Sequence, residues 1–366
     1  MNNPFKFGSV VSDDFFTNRE TEYEILSRII AGRNHIIMIA PRRFGKTSLV
    51  NKVVANTDRP ILWLDLQLLT GTSDFAAQLL KQLFKKYPFE KIKFMIRKFR
   101  IVPMLSIDPV TNNVEVSFQP HVDSFVHLED VLNLIEKLGK EKKRPIVVFD
   151  EFQDLLLLNK SLDKRLRSVI QFHKNVNYVF LGSAESLMKQ IFENKKSPFY
   201  HFGQLFTLNK IPYNDFFDFL RNRFAKITDY STEIAEQILS FSHCHPHYTQ
   251  QLAFHVWFAL ERGGYSENSV SKTVEDIIQL HDNDFERLWN NFNNTDKKVL
   301  IELAFGQTKL LSSNKLYKDT TASSTLFSAL KRLAEKGILI KSEKYEIDDP
   351  FFSNWIVKKR LNILNS

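Results

Sequence analysis

The sequence predicts an α/β fold class, in which a doubly wound parallel sheet of about five strands is followed by helices and a C-terminal winged helix. Apolar runs of strand length alternate with helical stretches over residues 1–210. One apolar run leads through a short loop directly into a helix. From Ile211 the spacing is helical, until two short alternating runs follow near the end. We therefore predict a core at 1–210 with an insertion at about 88–125, a helical part at 211–290 and a winged helix at 291–366.

The loop after the first predicted strand has the pattern of a phosphate-binding loop. The strand is the apolar run Ile36–Ile39, the loop spans 40–48, and a helix is predicted at 48–54. In such a loop, backbone N–H groups face phosphate oxygens and the helix start adds the positive end of its dipole. The usual pattern is G-x-x-x-x-G-K-[ST], and Ala40 replaces its first glycine. The loop predicts a P-loop NTPase.

The side chains of this loop have distinct predicted roles. Lys46 would reach the β- and γ-phosphates and stabilise the transferring charge, and Thr47 would hold Mg²⁺ through its hydroxyl. Arg42 and Arg43 are candidates to neutralise phosphate charge. The full set of expected nucleotide contacts in the loop is Pro41, Arg42, Arg43, Phe44, Gly45, Lys46, Thr47 and Ser48.

A second motif is an apolar run at 145–149 that ends in Asp150 and Glu151. Buried parallel strands have this composition, and ligands bind outside their carboxyl ends. Asp150 is predicted to hold Mg²⁺, and Glu151 to act as the general base that polarises the attacking water. The alternative interpretation is a strand that ends in a solvated acidic turn, which the phosphate-binding loop upstream disfavours.

The remaining elements are predicted from periodicity and from turn residues. Further strands of the sheet are expected at 61–66, 177–183 and 205–208, and a short hairpin strand at 114–118. Helices are expected at 19–30, 73–87, 128–138, 214–223, 232–240, 247–261, 269–289, 295–305 and 323–336. Thr72 or Ser73 is expected to cap the helix at 73–87, and Gly337 to end the last helix. Runs at 338–341 and 344–347 would form the hairpin of the winged helix.

Composition excludes several classes of protein. Among 366 residues, Cys244 is the single cysteine, which excludes an internal disulfide framework. No apolar run reaches the roughly 18 residues of a membrane span, and residues 1–6 lack the apolar centre of a signal peptide. We therefore expect a cytoplasmic protein that has no membrane partner.

The net charge of +8 raises the question of nucleic-acid binding. Bases are concentrated at 81–100, where aromatic residues are interleaved with them and Glu90 is the one acid. Such aromatics can stack on single-stranded nucleic acid, but at helical spacing they more often belong to the core beneath a solvated basic face. Lys331 and Arg332 on the helix at 323–336 allow a similar alternative, DNA reading by the winged helix. Contact with nucleic acid is not favoured.

Motifs along nearly the whole chain resemble the prokaryotic archaeal-type ATPases, a branch of the STAND class of AAA-like ATPases. These motifs, in chain order, are Phe16-Thr17-Asn18-Arg19-Glu20, Pro41-Arg42-Arg43-Phe44-Gly45-Lys46-Thr47-Ser48-Leu49, Val148-Phe149-Asp150-Glu151-Phe152-Gln153-Asp154, Leu181-Gly182-Ser183, Ser197-Pro198-Phe199-Tyr200, His245-Pro246, and Asp349-Pro350 with Trp355. The resemblance implies a P-loop ATPase core, a helical lid and a winged helix that reports the nucleotide state.

The resemblance also implies site residues beyond the two motifs. Ser183 matches a sensor position near the γ-phosphate, Phe16 and Arg19 match the segment near the adenine, and Pro246 matches a lid proline that contacts nucleotide. Cys244 stands where relatives carry glycine, two residues before that proline. Relatives often carry an arginine after the motif at 197–200, where this chain has His201. No arginine finger is therefore assigned.

The segment 243–247 contains three histidines and a cysteine, which is also typical of a metal site. A structural zinc site normally draws on two separated pairs of ligands, and no second pair stands out. The lid motif is the preferred interpretation.

The expected function is an ATPase switch. ATP/ADP and Mg would bind in the core, hydrolysis would be slow, and the lid and winged helix would change position, with a protein client or self-assembly as the readout. The first alternative is a DNA- or RNA-associated ATPase module of mobile-element or defence biology. A second is an inert nucleotide-bound scaffold. The client, the oligomeric state and the trigger are not predicted.

Overall fold

The computed structural model describes residues 2–10, 15–17, 19–108, 110, 113–119, 123–141, 143–306, 323–341 and 344–360. The chain divides into two compact units. The helical unit contains Met1–Asn18, Pro41–Gly45 and Lys210–Ser366, and the sheet unit contains Arg19–Ala40 and Lys46–Asn209. Asn18 of the lead-in motif lies outside the described residues.

The sheet unit contains a five-stranded parallel sheet, so the predicted α/β class is confirmed. The strands of this unit, in chain order, are β1 (Ile36–Ile39), β2 (Ile61–Asp65), β3 (Met104–Ile107), β4 (Val114–Ser117), β5 (Ile146–Asp150), β6 (Asn177–Gly182) and β7 (Gln204–Thr207). The spatial order of the sheet is β2-β5-β6-β1-β7, and β3 pairs with β4 in a separate antiparallel hairpin. Every residue of β1, β5 and β6 is buried, which explains why these strands are apolar except for Asn177 at the start of β6 and Asp150 at the end of β5.

The helices of the sheet unit include several that the sequence did not predict. They are α1 (Glu20–Ala31), α2 (Lys46–Ala55), α3 (Thr72–Lys86), α4 (Phe89–Ile96), α5 (Ser124–Glu141), α6 (Leu155–Leu158), α7 (Leu162–Ile170) and α8 (Glu185–Phe192). Helices α4, α6, α7 and α8 span nine residues or fewer, so their apolar pattern repeats too few times to stand out.

The start of α3 corrects the predicted cap. Gly71 is the N-cap residue, and Thr72 is already the first helical residue, with its side chain buried. Asp74 accepts two hydrogen bonds from Thr70, one from its backbone N–H at 3.0 Å and one from the Thr70 hydroxyl at 3.2 Å. A carboxylate that reaches back from the first turn therefore stabilises this helix start, and a side-chain cap from Thr72 or Ser73 is wrong.

The helical unit consists of helices and one hairpin. Its elements are α9 (Tyr213–Phe224), α10 (Ser231–Ser242), α11 (Pro246–Gly263), α12 (Ser269–Leu280), α13 (Asp282–Asn290), α14 (Asn294–Ala304), α15 (Ser323–Glu335), β8 (Leu339–Lys341), β9 (Tyr345–Ile347) and α16 (Pro350–Arg360). The helix predicted at 269–289 is two helices, because the backbone leaves helical geometry at His281. The sequence did not predict α16, although its Trp355 is fully buried and donates to Asp282 Oδ1 at 2.7 Å.

The end of α15 confirms the predicted role of Gly337. Its φ of 70° lies in the left-handed region that favours glycine. The N–H of Gly337 bonds to the carbonyl of Ala334, and that of Ile338 bonds to Leu333. This is the Schellman arrangement, which satisfies the last helical carbonyls and turns the chain toward β8. Strands β8 and β9 pair antiparallel, as the hairpin prediction required.

Each unit has its own hydrophobic core. The core of the sheet unit centres on packed aromatic rings, with Phe149, Phe152 and Phe180 fully buried. The core of the helical unit includes Trp257 and Trp355. Among the described residues, no helix has the length and apolar character needed to cross a lipid bilayer.

Candidate functional site

The carboxyl ends of three neighbouring strands assemble the predicted phosphate site of the sheet unit. Strand β6 lies between β1 and β5, with Ile39 opposite Gly182 and Phe149 opposite Phe180. Residues that follow these strands therefore emerge at one edge of the sheet. Sequence alone predicted the strands, but their order brings Ser183 next to the acidic pair.

The phosphate-binding loop has the backbone that its sequence requires. Gly45 has a φ of 87°, a conformation that side chains disfavour. Lys46 is 5% exposed, and its ammonium donates to the carbonyl of Ala40 at 2.8 Å. Ala40 has no positive φ, and its N–H bonds to Gly182 of β6 at 3.3 Å. Ala40 thus continues the hydrogen bonding of the strand, in a backbone conformation that any residue can adopt. The loop backbone therefore does not require a glycine at this position.

Thr47 and Asp150, the two predicted magnesium ligands, lie side by side. The Thr47 hydroxyl donates to Asp150 Oδ2 at 3.1 Å. Asp150 is buried, and this burial, followed by the charge of Glu151, raises the pKa of its carboxyl. The hydrogen bond from Thr47 and the charge of Lys46 act in the opposite direction and lower that pKa. A hydroxyl and a carboxylate are the oxygen donors that Mg²⁺ prefers, so this pair fits the metal.

Glu151 lies at the end of β5 in a left-handed conformation, with a φ of 49°. Its Oε2 accepts hydrogen bonds from the Ser183 hydroxyl and from Gln153 Nε2, both at 2.6 Å. Its Oε1 has no hydrogen-bond partner among the described residues. The carboxylate is therefore held by one oxygen, and the other is left as an acceptor. Sequence analysis did not assign Gln153, although it lies two residues after the acidic pair.

The tip of the phosphate-binding loop packs within the helical unit. Arg43, with a φ of 64°, donates from Nη1 to the hydroxyl of Tyr248 on α11 at 3.0 Å. Phe44 is buried, and its ring meets His245 edge-on with centroids 4.9 Å apart. Arg42 is exposed. Tyr248 is a contact that sequence analysis missed, because no local pattern ties it to a loop 205 residues away.

The segment before α11 explains the histidine-rich motif. His245 Nδ1 accepts from the N–H groups of His247 and Tyr248, and thereby caps the helix. Since Nδ1 is an acceptor, the proton is on Nε2, which donates to Asp348 Oδ1 at 3.1 Å. Burial, followed by the charge of Arg43, lowers the pKa of His247 to about 3. His247 is therefore neutral at physiological pH.

Pro246 and Cys244 have backbone roles in this segment. Pro246 is the first residue of α11, where proline favours helix initiation. Cys244 has a φ of 59°, which a glycine adopts without strain. This conformation accounts physically for glycine as the usual residue at the position.

The lead-in residues predicted near the adenine lie in different units. Phe16 is half-buried in the helical unit, where the neighbouring Thr17 accepts from Gln250 Nε2 at 3.0 Å. Arg19 is 5% exposed in the sheet unit and donates to Glu22 Oε1 at 2.9 Å and to the carbonyl of Asn209 at 2.7 Å. Burial lowers the pKa of the Arg19 guanidinium, although the hydrogen bond to Glu22 and its charge act to raise it. Ser48 is buried on α2.

Comparisons with known proteins bear on the family and the fold of the chain. A family model described as an ATPase domain predominantly from Archaea matches residues 16–252. No curated protein sequence matches the chain significantly. The Walker-type ATPase PABY2304 of Pyrococcus abyssi is similar in structure, with a TM-score of 0.66 and 19% identity over 94% of this chain and 97% of that chain. The ORC2 protein of Aeropyrum pernix, in ADPNP and ADP complexes, has a TM-score of 0.55 and 14% identity over 99% of this chain and 100% of that chain. The matched family covers the phosphate-binding loop, the acidic strand and the start of α11, and the chain belongs to this family of archaeal-type P-loop ATPase domains.

Proposed function

We propose that this ATPase is a nucleotide-controlled conformational switch that binds ATP with Mg²⁺ and hydrolyses it slowly. The observation that carries the proposal is the hydrogen bond from Arg43 of the phosphate-binding loop to Tyr248 of α11. The tip of the loop, which belongs to the helical unit, is thereby held to α11 of the same unit. A change in the ligand of the loop would alter this bond.

The chain of contacts continues beyond Tyr248. Phe44 of the loop packs on His245, which caps α11 and bonds to Asp348 after β9. Lys210 forms an ion pair with Glu346 of β9 at 2.8 Å. A movement of the loop tip would therefore be transmitted to the helix start and to the hairpin, the elements that we propose as the lid and the winged helix. A γ-phosphate that attracts Arg43 would compete directly with Tyr248.

The residues at the edge of the sheet would perform the hydrolysis. Lys46 would place its buried positive charge against the β- and γ-phosphates. Thr47 and Asp150 would hold Mg²⁺, which when bound neutralises phosphate charge. Ser183 and Gln153 hold one oxygen of Glu151, so its free Oε1 would accept the proton of the attacking water. Exposed Arg42 is a further phosphate partner, and Phe16, Arg19 and Pro246 remain proposed nucleotide neighbours.

The switch is tested by hydrogen exchange of α11 without nucleotide, with ADP and with a non-hydrolysable ATP analogue. We expect the analogue and ADP to give different protection at the start of α11. Tyr248→Phe keeps the ring but removes the hydroxyl that accepts from Arg43, so it should reduce this difference while nucleotide still binds. Tyr230→Phe is the matched control, since Tyr230 is exposed and stacks on Tyr265. Identical protection in all three states of the parent protein would contradict the switch.

The alternative, a DNA- or RNA-associated ATPase module, would bind nucleic acid through the basic stretch at 81–100 or through the proposed winged helix. Phe84 and Phe99 pack against the core of the sheet unit, and Tyr87 is buried. Lys81 pairs with Glu115 at 2.5 Å, and Arg100 pairs with Glu129 and Asp130. These contacts support a solvated basic face, with most of its aromatic rings turned inward.

A charge-reversal variant separates the two functions. The variant changes three exposed residues to Glu, namely Lys85, Arg97 and Lys98. It should fold and hydrolyse ATP nearly as the parent protein does, because the altered charges are solvated. The measurements are thermal unfolding, phosphate release, and a gel shift with single-stranded DNA at several salt concentrations. A DNA shift by the parent protein that weakens steeply with salt and disappears in the variant would favour the alternative.

A further inference from the structure

A cavity of about 570 Å³ lies in the sheet unit, at the amino ends of β2 and β5. It is lined by residues 57–60 ahead of β2, residues 86–88 after α3, and Lys143 ahead of β5. Because parallel strands run in one direction, this is the opposite edge of the sheet from Asp150 and Glu151. None of the predicted ATPase residues lines the cavity, so the ATPase site does not account for it.

The lining has more positive than negative charge. Among the described residues, the lining contains Arg59, Lys86 and Lys143, and Asp58 is the one carboxylate. Asp58 pairs with Lys143. Lys86 is exposed and has no ion-pair partner in the part of the chain that the structure describes. The cavity is therefore suited to an anion.

Arg59 adds a charge that no carboxylate neutralises among the described residues. Its guanidinium donates to the carbonyls of Ile30 and Arg144, both at 2.7 Å, and to the side-chain oxygen of Asn177. All three acceptors are neutral. Burial, then the charge of Arg144, lowers the pKa of Arg59 to about 10, so the group is still protonated at neutral pH. These hydrogen bonds hold the arginine in place while its charge remains available to a bound anion.

Two buried hydrogen-bond donors at or beside the cavity have no partner among the described residues. Tyr87 lines the cavity, is 6% exposed, and its hydroxyl makes no hydrogen bond. Burial raises the pKa of Tyr87 to about 12, so this hydroxyl is protonated and can donate. Nη1 of Arg144, which follows Lys143, is also buried and unpaired. An unsatisfied buried donor destabilises the ligand-free protein, and a ligand whose acceptor oxygens reach it would offset this effect.

We propose that this cavity binds a small organic phosphate of mononucleotide size. Phosphate oxygens accept from Lys86, Arg59 and the Tyr87 hydroxyl, and its charge neutralises the excess cations. The Tyr87 ring and the neighbouring prolines, Pro60 and Pro88, offer apolar surface to the organic part. The volume lies within the range of about 300–1,000 Å³ that is typical of small-molecule sites. This site is separate from the phosphate-binding loop and does not depend on the proposed switch.

A structural explanation competes for Lys86 alone. It ends α3, and a cation at a helix C-terminus stabilises the helix dipole. That role explains neither the unpaired Tyr87 hydroxyl nor the second cation, Arg59. The two explanations differ in what a change at Lys86 does to ligand affinity.

The test is calorimetric titration of the full-length chain with AMP and with inorganic phosphate. Lys46→Ala is included in every variant, to remove phosphate binding at the loop. We expect AMP to bind more tightly than inorganic phosphate, since only AMP fills the cavity. Lys86→Glu should weaken AMP binding about tenfold or more, from the loss of one charge-assisted hydrogen bond. Lys85→Glu is the matched control, because it reverses the neighbouring exposed charge outside the cavity and should change the affinity much less.

Tyr87→Phe provides an independent arm that keeps the packing. It should weaken AMP binding severalfold and leave the ligand-free protein at least as stable, because the lost hydroxyl has no partner there. Absence of AMP binding at about 1 mM would overturn the proposal. Equal weakening by Lys85→Glu and Lys86→Glu would also overturn it, since it would indicate general charge attraction. A lower melting temperature for Lys86→Glu with unchanged AMP affinity would leave only the helix-dipole role.

Discussion

Glu151→Gln is expected to bind ATP nearly as well as the parent protein. Its rate of ATP hydrolysis should fall about a hundredfold or more. The amide is nearly isosteric with the carboxylate, so packing at the end of β5 should persist. Its oxygen can still accept from Ser183, but neither of its terminal atoms can take a proton from water. Phosphate release, measured beside calorimetric ATP affinity, separates the lost chemistry from lost binding.

Ser183→Ala is the control for positioning at the same site. It removes one of the two donors to Glu151 Oε2 but leaves the base in place. We expect a smaller loss of turnover, since Gln153 still holds that oxygen. If Glu151→Gln hydrolyses ATP at the parent rate, Glu151 is not the base.

Lys46→Ala is expected to weaken ATP binding about a hundredfold or more. The ammonium is 5% exposed, and phosphates would accept hydrogen bonds from it in place of Ala40. Bonds to charged groups contribute about 1.5–3 kcal/mol each, and two of them lost account for this factor. Lys46 also opposes the rise of the Asp150 pKa, so its removal would raise that pKa further.

Lys52→Ala on the same helix is the matched control for Lys46→Ala. Its ammonium lies 5.7 Å from the Tyr23 ring centroid, at the far end of α2 from the loop. ATP affinity by calorimetry should change little in this variant. An unchanged affinity in Lys46→Ala, with the fold intact by circular dichroism, would refute the role of the phosphate-binding loop.

Local patterns in the sequence were sufficient for the α/β class and for the two main motifs. Unbroken apolar runs at β1, β5 and β6 identify strands buried on both faces, because such strands have no solvent side that requires polar residues. Gly45 and Lys46 are recognisable because a phosphate-binding loop requires those residue types in adjacent positions. Short helices such as α7, and the terminal α16, escaped prediction because a few apolar residues do not define a period.

The sequence by itself determined which side chains are candidates to bind phosphate and metal, because each motif requires particular residue types at a few adjacent positions. Only the tertiary structure decided how they meet. The insertion of β6 between β1 and β5 brings Ser183 within 2.6 Å of Glu151, and the fold of the helical unit brings Tyr248 to Arg43. Such contacts join residues far apart in the chain, and the packing of whole strands and helices, rather than any local preference, sets their distances.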